Sequence, residues 1–372
     1  MKELIDITNA FAEILRNGTP AALATVVRVS GSSYRRPGAR MLFTDHGRVA
    51  GLINAACMES DLFEKAKQIA RSGTPMLISY DTTSPDDIVL GLGLGCNGFV
   101  EILIEPATTE SMEKKMNWLR GCIHAEHTSL LTTVIRASES TGLRLGDFLG
   151  LDHFWNLTGT LPESILSPRI RTEFAELLES RGLSTKIIPL EEGRAELFTE
   201  IIQAPVPLVV FGAGSDAIPL VESAKRLGWR VTIVDHRPAK ATKQDFPLAD
   251  SVLLVHPEEL RQHLTLHHRH VAVVMTHNFN IDAKLLRILL ESPVRYVGVL
   301  GPRSKLDMLL QSLKHEGFEP SDHQLARLHG PIGLDIGAES PEEIAFSIVT
   351  EIKAVLEGRS GGFLRDRVGA IH

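Results

Sequence analysis

Ser30-Gly31-Ser32-Ser33-Tyr34-Arg35-Arg36-Pro37-Gly38-Ala39-Arg40 places three arginines and two glycines in one strand-to-strand connection. Guanidinium groups present planar forks of N–H donors, so Arg35, Arg36 and Arg40 suit contacts with phosphate or carboxylate. A solvated basic turn would leave the same pattern. Cys57 follows where a strand gives way to a helix. A thiol near a helix N-terminus is partly thiolate, the form that ligates soft metals and attacks sulfur. Cys96 lies in Gly91-Leu92-Gly93-Leu94-Gly95-Cys96-Asn97-Gly98. There Gly93 and Gly95 leave the sulfur approachable, and consecutive N–H groups could form an anion nest. The alternative for either cysteine is a small buried hydrophobe, which is the reading for Cys122 in a helix end.

In the second half, Gly212-Ala213-Gly214-Ser215-Asp216-Ala217 follows an apolar run and opens a helical one, and Asp235 ends the next apolar run. This is the G-x-G-x-x-A pattern: glycines admit a pyrophosphate, a helix N-terminus faces it, and the acid takes a ribose hydroxyl. Tight strand–helix packing would also call for these glycines. Asp216 stands where a phosphate would come, which argues for weak binding of NAD(P). The residues after the other runs are polar: Asp235-His236-Arg237, Thr276-His277-Asn278, Gly301-Pro302-Arg303-Ser304-Lys305, and the glycine-rich loop from His329 to Gly337. In a doubly wound sheet, ligands bind beyond the carboxyl ends of the strands, so this edge reads as a pocket for a phosphorylated or otherwise anionic ligand with Arg303 as its charge partner. Capping and solvated loops are the plainer account. His263, His267, His268 and His270 contain an i, i+4 pair but no carboxylate at ligand spacing, so they read as a solvated helix end. There is no Ser-His-Asp order, Walker loop or H-E-x-x-H, hence no hydrolase reading.

Two kinds of scaffold must position these residues. The first half opens with an amphipathic helix (Leu4, Ile7, Phe11, Ile14, Leu15) and continues with strands at Ala21–Val29, Met41–Thr44, Arg48–Ile53, Met76–Tyr80 and Phe99–Ile104, with a helix at Asp61–Arg71. From 106 onward the signals are weaker: a helix near 110–121, a strand at Ser129–Arg136 and a helix near 168–181. After the stiff connector Ala204-Pro205-Val206-Pro207, apolar β-branched runs at Leu208–Phe211, Arg230–Val234, Ser251–Val255, Val271–Met275 and Tyr296–Leu300 alternate with helices. Near-continuous hydrophobic runs of this kind are strands covered on both faces, which predicts a doubly wound parallel sheet. Ser340-Pro341-Glu342-Glu343 opens a last helix to about Glu357. The expected fold is α/β, a mixed domain at 1–203 and a Rossmann-like domain at 204–372.

Lys plus Arg number 39 against 46 Asp plus Glu, and the resulting charge of −7 lacks the positive field that non-specific nucleic-acid binding needs. MKELIDITNAFAEILRNG carries acids through its apolar positions and is no signal peptide, and no apolar run approaches the roughly 18 residues of a membrane span. A cytoplasmic protein is expected. The three cysteines are too few for a disulfide framework or a four-cysteine zinc site.

Across nearly its whole length the chain resembles the XdhC/CoxI proteins, accessory factors for xanthine dehydrogenase and related molybdenum hydroxylases. The resemblance is carried by GSSYRRPGARML, DHGRVAGLINAACMES, GLGLGCNGFVEILIEP, LVVFGAGSDAIPL, GWRVTIVDHRPA, VVMTHN, YVGVLGPRSK and LHGPIGLDIGAESPEEIAFSIVTEI, in that order. It implies transient binding of molybdenum cofactor of the molybdopterin type, support of its sulfuration, and insertion into an apo xanthine dehydrogenase-type enzyme. It also implies a chaperone rather than a turnover enzyme, with a cysteine desulfurase as a further partner and a homo-oligomeric state. Taken with the residues above, the expected cofactor-binding set is Arg35, Arg36, Arg40, Cys57, Gly93, Gly95, Cys96, Gly212, Gly214, Asp235, His277 and Arg303. Cys57 and Cys96 are the expected molybdenum contacts, and Cys57 is the reactive thiol. Two departures stand out: Asn54-Ala55-Ala56-Cys57 replaces a Ser-Gly-Gly-Cys-type segment, and Gly212-Ala213-Gly214-Ser215-Asp216 replaces Gly-Ala-Gly-His. The competing classes are an NAD(P)-dependent oxidoreductase using Asp235 and His277, and a docking scaffold without cofactor.

Overall fold

The computed structural model describes residues 1–31, 35–53, 59–81, 98–166, 168–179, 185–190 and 194–368. The chain divides into two compact units, Met1–Pro205 and Val206–His372, parting within the Ala204–Pro207 connector.

In the first unit, helix α1 (Lys2–Asn17) buries Leu4, Ile7, Phe11 and Ile14 and stops at Gly18, whose φ of 63° is a left-handed cap. Strands β1 (Ala21–Gly31), β2 (Arg40–Thr44), β3 (Gly47–Gly51), β4 (Met76–Asp81) and β5 (Gly98–Pro106) form an antiparallel sheet in the order β3-β2-β1-β5-β4, with α2 (Glu59–Ser72) between β3 and β4 in sequence. Ala22, Ala24 and Val26 of β1 pack with Leu62, Ala66 and Ile69 of α2. On the other face, Val27 and Leu103 meet Ile135 and Phe198 of a second sheet.

That second sheet lies in the stretch from 106 onward, where the sequence signals are weaker. After α3 (Glu110–His124), strands β6 (Ser129–Ala137), β7 (Phe148–Leu151) and β8 (Leu157–Gly159), helix α4 (Pro168–Glu179), and strands β9 (Thr185–Leu190) and β10 (Ala195–Ile202) complete an antiparallel sheet ordered β8-β7-β6-β10-β9. Of its strands only β6 was expected; β10 was hard to read because two of its interior positions are polar, Thr199 and Glu200, both buried. Alternation therefore did not mark the inward face.

In the second unit, β11 (Pro207–Phe211), α5 (Ala217–Arg226), β12 (Arg230–Asp235), β13 (Ser251–Leu254), β14 (Val271–Val274), α6 (Phe279–Glu291), β15 (Tyr296–Val299), α7 (Arg303–His315), β16 (Leu328–His329) and α8 (Pro341–Leu356) make a Rossmann-like fold. All strands are parallel, in the order β13-β12-β11-β14-β15-β16. Leu208 and Val210 of β11 join the core under α5 and α8, while Val209 and Phe211 join the core under α6 and α7. Both faces are thus covered, which is why these strands read as unbroken apolar runs. The sixth strand, β16, has only two residues and left no such run. Ser340 and Glu343 form the capping box that opens α8. Among the described residues, no helix is long and apolar enough to cross a membrane.

Candidate functional site

The arginine-bearing turn of the first unit is stitched to β1. Gly38 N–H donates to Val26 O at 2.8 Å, Val26 N–H donates to Ala39 O at 2.9 Å, and Ala39 N–H donates to Arg36 O at 3.2 Å. Gly38 sits at φ 94°, and a Cβ there would stand 3.2 Å from Glu200 Oε2, so the turn requires glycine. The three arginines have different fates. Arg35 pairs with Glu3 of α1 at 2.5 Å. Arg40 is buried, donates to Gly38 O at 2.9 Å, and its guanidinium is bonded to the Glu200 carboxylate of β10. Its expected role as an anion ligand is corrected, because its charge is spent inside the unit. Arg36 is exposed, and among the described residues its side chain forms no ion pair.

Behind the turn, the two sheets enclose a charged seam. Lys115 of α3 lies 2.6 Å from Glu105 of β5, both buried. A small pocket is lined by Thr25, Arg40, Glu105, Lys115, Thr133 and Glu200. Burial pushes the Glu200 carboxyl above the usual range, opposed by the Arg40 charge and hydrogen bond. Farther along, Arg28 lies 3.0 Å from Glu101 and 2.8 Å from Glu196, and Arg136 contacts the same two carboxylates. Cys57, Gly93, Gly95 and Cys96 lie outside the described residues. Cys122 is buried, which pushes its thiol up to about 11 and leaves it a hydrophobe.

In the second unit, the chain leaves β11 for β12 on one side and later returns to β14 on the other. The loops after β11 and β14 therefore flank the point where strand order reverses, where ligands bind in this architecture. Gly212 has φ 123°, and a Cβ there would meet Met275 O at 2.4 Å; the glycine permits close approach of the two strand ends. Asp235 is not open to a ribose. Its Oδ1 accepts from the Arg237 backbone N–H and Nε, each at 2.9 Å, and its Oδ2 accepts from Ala213 N–H at 2.7 Å and Arg237 Nη2 at 2.6 Å. Four donors fill the lone pairs of a carboxylate. Burial alone would raise this carboxyl, but those hydrogen bonds prevail and hold it at about 2.

Asp216, expected to repel a pyrophosphate, is instead partnered: its Oδ2 lies 2.7 Å from His277 Nε2 across the reversal point. His277 has φ 57°, a left-handed conformation uncommon outside glycine. Arg303 is 74% exposed and lies 3.3 Å from Asp307, one turn along α7. The histidines at 263–270 form no metal cluster, and among the described residues no group of three His, Cys, Asp or Glu could hold a metal ion.

Sequence reasoning singled out neither Glu351 nor Tyr296. Glu351 of α8 accepts from Tyr296 Oη at 2.9 Å, lies 2.7 Å from His329 Nδ1, and also accepts from Gly333 N–H, while Tyr296 stacks on His329 at 4.3 Å. Burial would raise the Glu351 carboxyl, but these donors hold it below its usual range. This network ties the glycine-rich loop after β16 to the last helix. Its only trace in the sequence was a lone acid on the apolar face of α8.

Comparison with known proteins follows the same division. Residues 14–81 match the family model described as the XdhC and CoxI family, and residues 208–352 match that of the XdhC Rossmann domain. A Bacillus subtilis (strain 168) protein named as a probable subunit of xanthine dehydrogenase is 34% identical over 339 residues, covering 91% of this chain and 94% of that protein. "Uncharacterized protein YqeB" of Escherichia coli (strain K12) is 30% identical over 175 residues, 46% of this chain and 31% of that protein. A crystal structure of a xanthine dehydrogenase from Bacillus halodurans superposes with a TM-score of 0.77 at 30% identity, covering 96% of this chain and 97% of that one.

Proposed function

This chain belongs to the XdhC and CoxI family, and we propose that it serves as an accessory factor for a xanthine dehydrogenase-type molybdenum hydroxylase. In this reading it binds molybdenum cofactor, supports its sulfuration and delivers it to the apo-enzyme. The observation that carries the proposal is the near full-length likeness to the Bacillus subtilis protein named for xanthine dehydrogenase. A cysteine desulfurase is the partner this reading calls for as sulfur source.

The chemistry of the described residues fits such a group in part. The cofactor carries a phosphate, and Arg36 is an exposed guanidinium held at a rigid turn, free of the carboxylates that occupy Arg35 and Arg40. Arg36 would take the anionic end, and the rigidity of the 36–39 turn keeps the entropic cost of that contact low. When bound, the group supplies a metal–sulfur centre destined for the hydroxylase. Cys57 and Cys96 are the proposed soft ligands.

The reading is tested by anaerobic titration of purified protein with molybdopterin-type cofactor. Near-stoichiometric uptake is expected, and Arg36→Ala should weaken it about tenfold, the loss of one charge-assisted contact. Absence of uptake by the wild type would overturn the cofactor-carrier reading in favour of a docking scaffold.

A further inference from the structure

The Asp216–His277 pair joins the two loops that bracket the strand-order reversal of the second unit. His277 is held there by its neighbours. Thr276 Oγ1 donates to the buried Asp282 at 2.5 Å and accepts from Asn278 N–H at 3.2 Å, and Asn278 Oδ1 accepts from the N–H groups of Asn280 and Ile281 at the start of α6. With both flanks pinned, the chain between them takes the left-handed conformation at a residue with a full side chain. Strain sustained in this way, at the place where the architecture binds ligands, marks a residue positioned for use. Asp216 is likewise fixed. A Cβ at Gly214 would stand 2.2 Å from its Oδ1, so glycine there leaves room for the carboxylate to lie across its own loop.

We propose that Asp216 and His277 form a proton-transfer pair serving the ligand of this crevice. Asp216 holds Nε2–H of His277 and so fixes the tautomer in which Nδ1 carries a lone pair. Nδ1 has no hydrogen-bond partner among the described residues, and the side chain is 61% exposed. The ligand class is a small molecule bearing an ionisable hydroxyl or thiol. In the transfer, the O–H or S–H bond breaks, its electron pair stays on the ligand as an anion, and the proton goes to Nδ1. The imidazolium so formed keeps its Nε2–H on the Asp216 carboxylate, whose negative charge stabilises it. The Asp216 charge also acts on Arg237, favouring its charged form, and Arg237 is committed to Asp235. The proposal deepens the accessory-factor reading only by supplying chemistry for the second unit.

The experiment needs no cofactor, so its failure is separable from failure of that reading. The full-length protein is acylated with diethyl pyrocarbonate above neutral pH, and the modified histidines are mapped by peptide mass spectrometry. The exposed His315, which has no carboxylate partner among the described residues, is the internal reference. His277 should react about fivefold faster than His315, because a carboxylate-bonded imidazole is the stronger base and nucleophile. In Asp216→Asn and Asp216→Ala, the His277 rate should fall to that of His315 while the His315 rate stays unchanged, reporting an intact fold. If His277 reacts no faster than His315 in the wild type, or keeps its rate in the Asn variant, the pair is a surface ion contact and the proposal is wrong.

Discussion

Replacing Arg40 by Met keeps most of the apolar stem but removes the charge that opposes burial of Glu200. The orphaned carboxylate then has a limited choice. It can remain ionised in an interior site, at a cost of several kcal/mol, or take up a proton. Protonation sets the ceiling: with an ordinary value of 4.5, holding the acid neutral at pH 7 costs about 1.4 kcal/mol for each of about 2.5 pH units, or about 3.5 kcal/mol. Lys115, shared with Glu105, recovers part of that. In the variant the folded-state carboxyl lies above its unfolded value, so its contribution to stability is fully present below the unfolded value and is lost as pH rises. The wild-type carboxyl is itself raised, so the destabilisation by Arg40→Met should be smallest in acid, where Glu200 is neutral in both proteins, and should grow by up to about 1.4 kcal/mol per pH unit once pH rises past the wild-type value. Hydrogen exchange of the β10 amides, corrected for intrinsic rates at each pH, reads this within the first unit without requiring the whole chain to unfold in one step. The double variant Arg40→Met/Glu200→Gln should lose the pH dependence. A cost at neutral pH below about 1 kcal/mol and flat with pH would place the pair in the range of surface salt bridges, and refute the claim that Arg40 is spent on the fold.

Other perturbations test the second unit and the thiol. Asp235 is held at about 2 against an ordinary 3.8, so it contributes on the order of 2 kcal/mol that is present above the unfolded value and lost as pH falls through 2. Asp235→Asn should be destabilising at neutral pH, and urea unfolding curves of wild type and variant should converge between about pH 4 and 2. Gly212→Ala forces a methyl group to 2.4 Å from Met275 O at φ 123°, and should cost more than about 2 kcal/mol as a lowered melting point for the second unit; an unchanged melting point would show the strand ends can part. Calorimetric titration with NAD should give no measurable heat, since every lone pair of Asp235 is occupied, and tight binding would restore the dehydrogenase alternative. Cys57→Ser should abolish activation of the hydroxylase with the melting temperature unchanged, and a large loss of stability would mean the thiol is only a packing group.

The second unit was readable because its strands are covered on both faces: Val271–Val274 is buried at every position and reads as strand without any partner in view. The capping box at Ser340 is equally local, requiring residues three apart. The second sheet of the first unit was readable only at β6, because the interior of its neighbour β10 uses a threonine and a glutamate whose partners are far away. Glu200 is explained only by Arg40, 160 positions earlier. The candidate sites divide in the same way. Gly212 announced a special backbone through its type, but Asp216 was judged by its own charge alone, and its meaning changed once His277, 61 positions later, was placed beside it. Arg35, Arg36 and Arg40 looked equivalent as a run; burial and long-range carboxylates separated them.

The quartet of Arg28, Arg136, Glu101 and Glu196 behaves like a key with its teeth cut on both sheets. Arg28 and Glu101 belong to the first sheet, Arg136 and Glu196 to the second, and each arginine engages one carboxylate from either side. Apolar contacts alone tolerate sliding, because one valine serves nearly as well as its neighbour two residues on. A slip of two residues moves a strand by about 6.6 Å, which would strip every tooth at once and leave Glu101, 1% exposed, without a cation. One alignment of the sheets therefore stands apart from all others, and with it the placement of the Arg40 turn, which is stitched to β1 of one sheet and bonded through Arg40 to β10 of the other. Sequence drift among the aliphatic residues of this interior can proceed without misregistering the turn, provided the four charges change together or not at all.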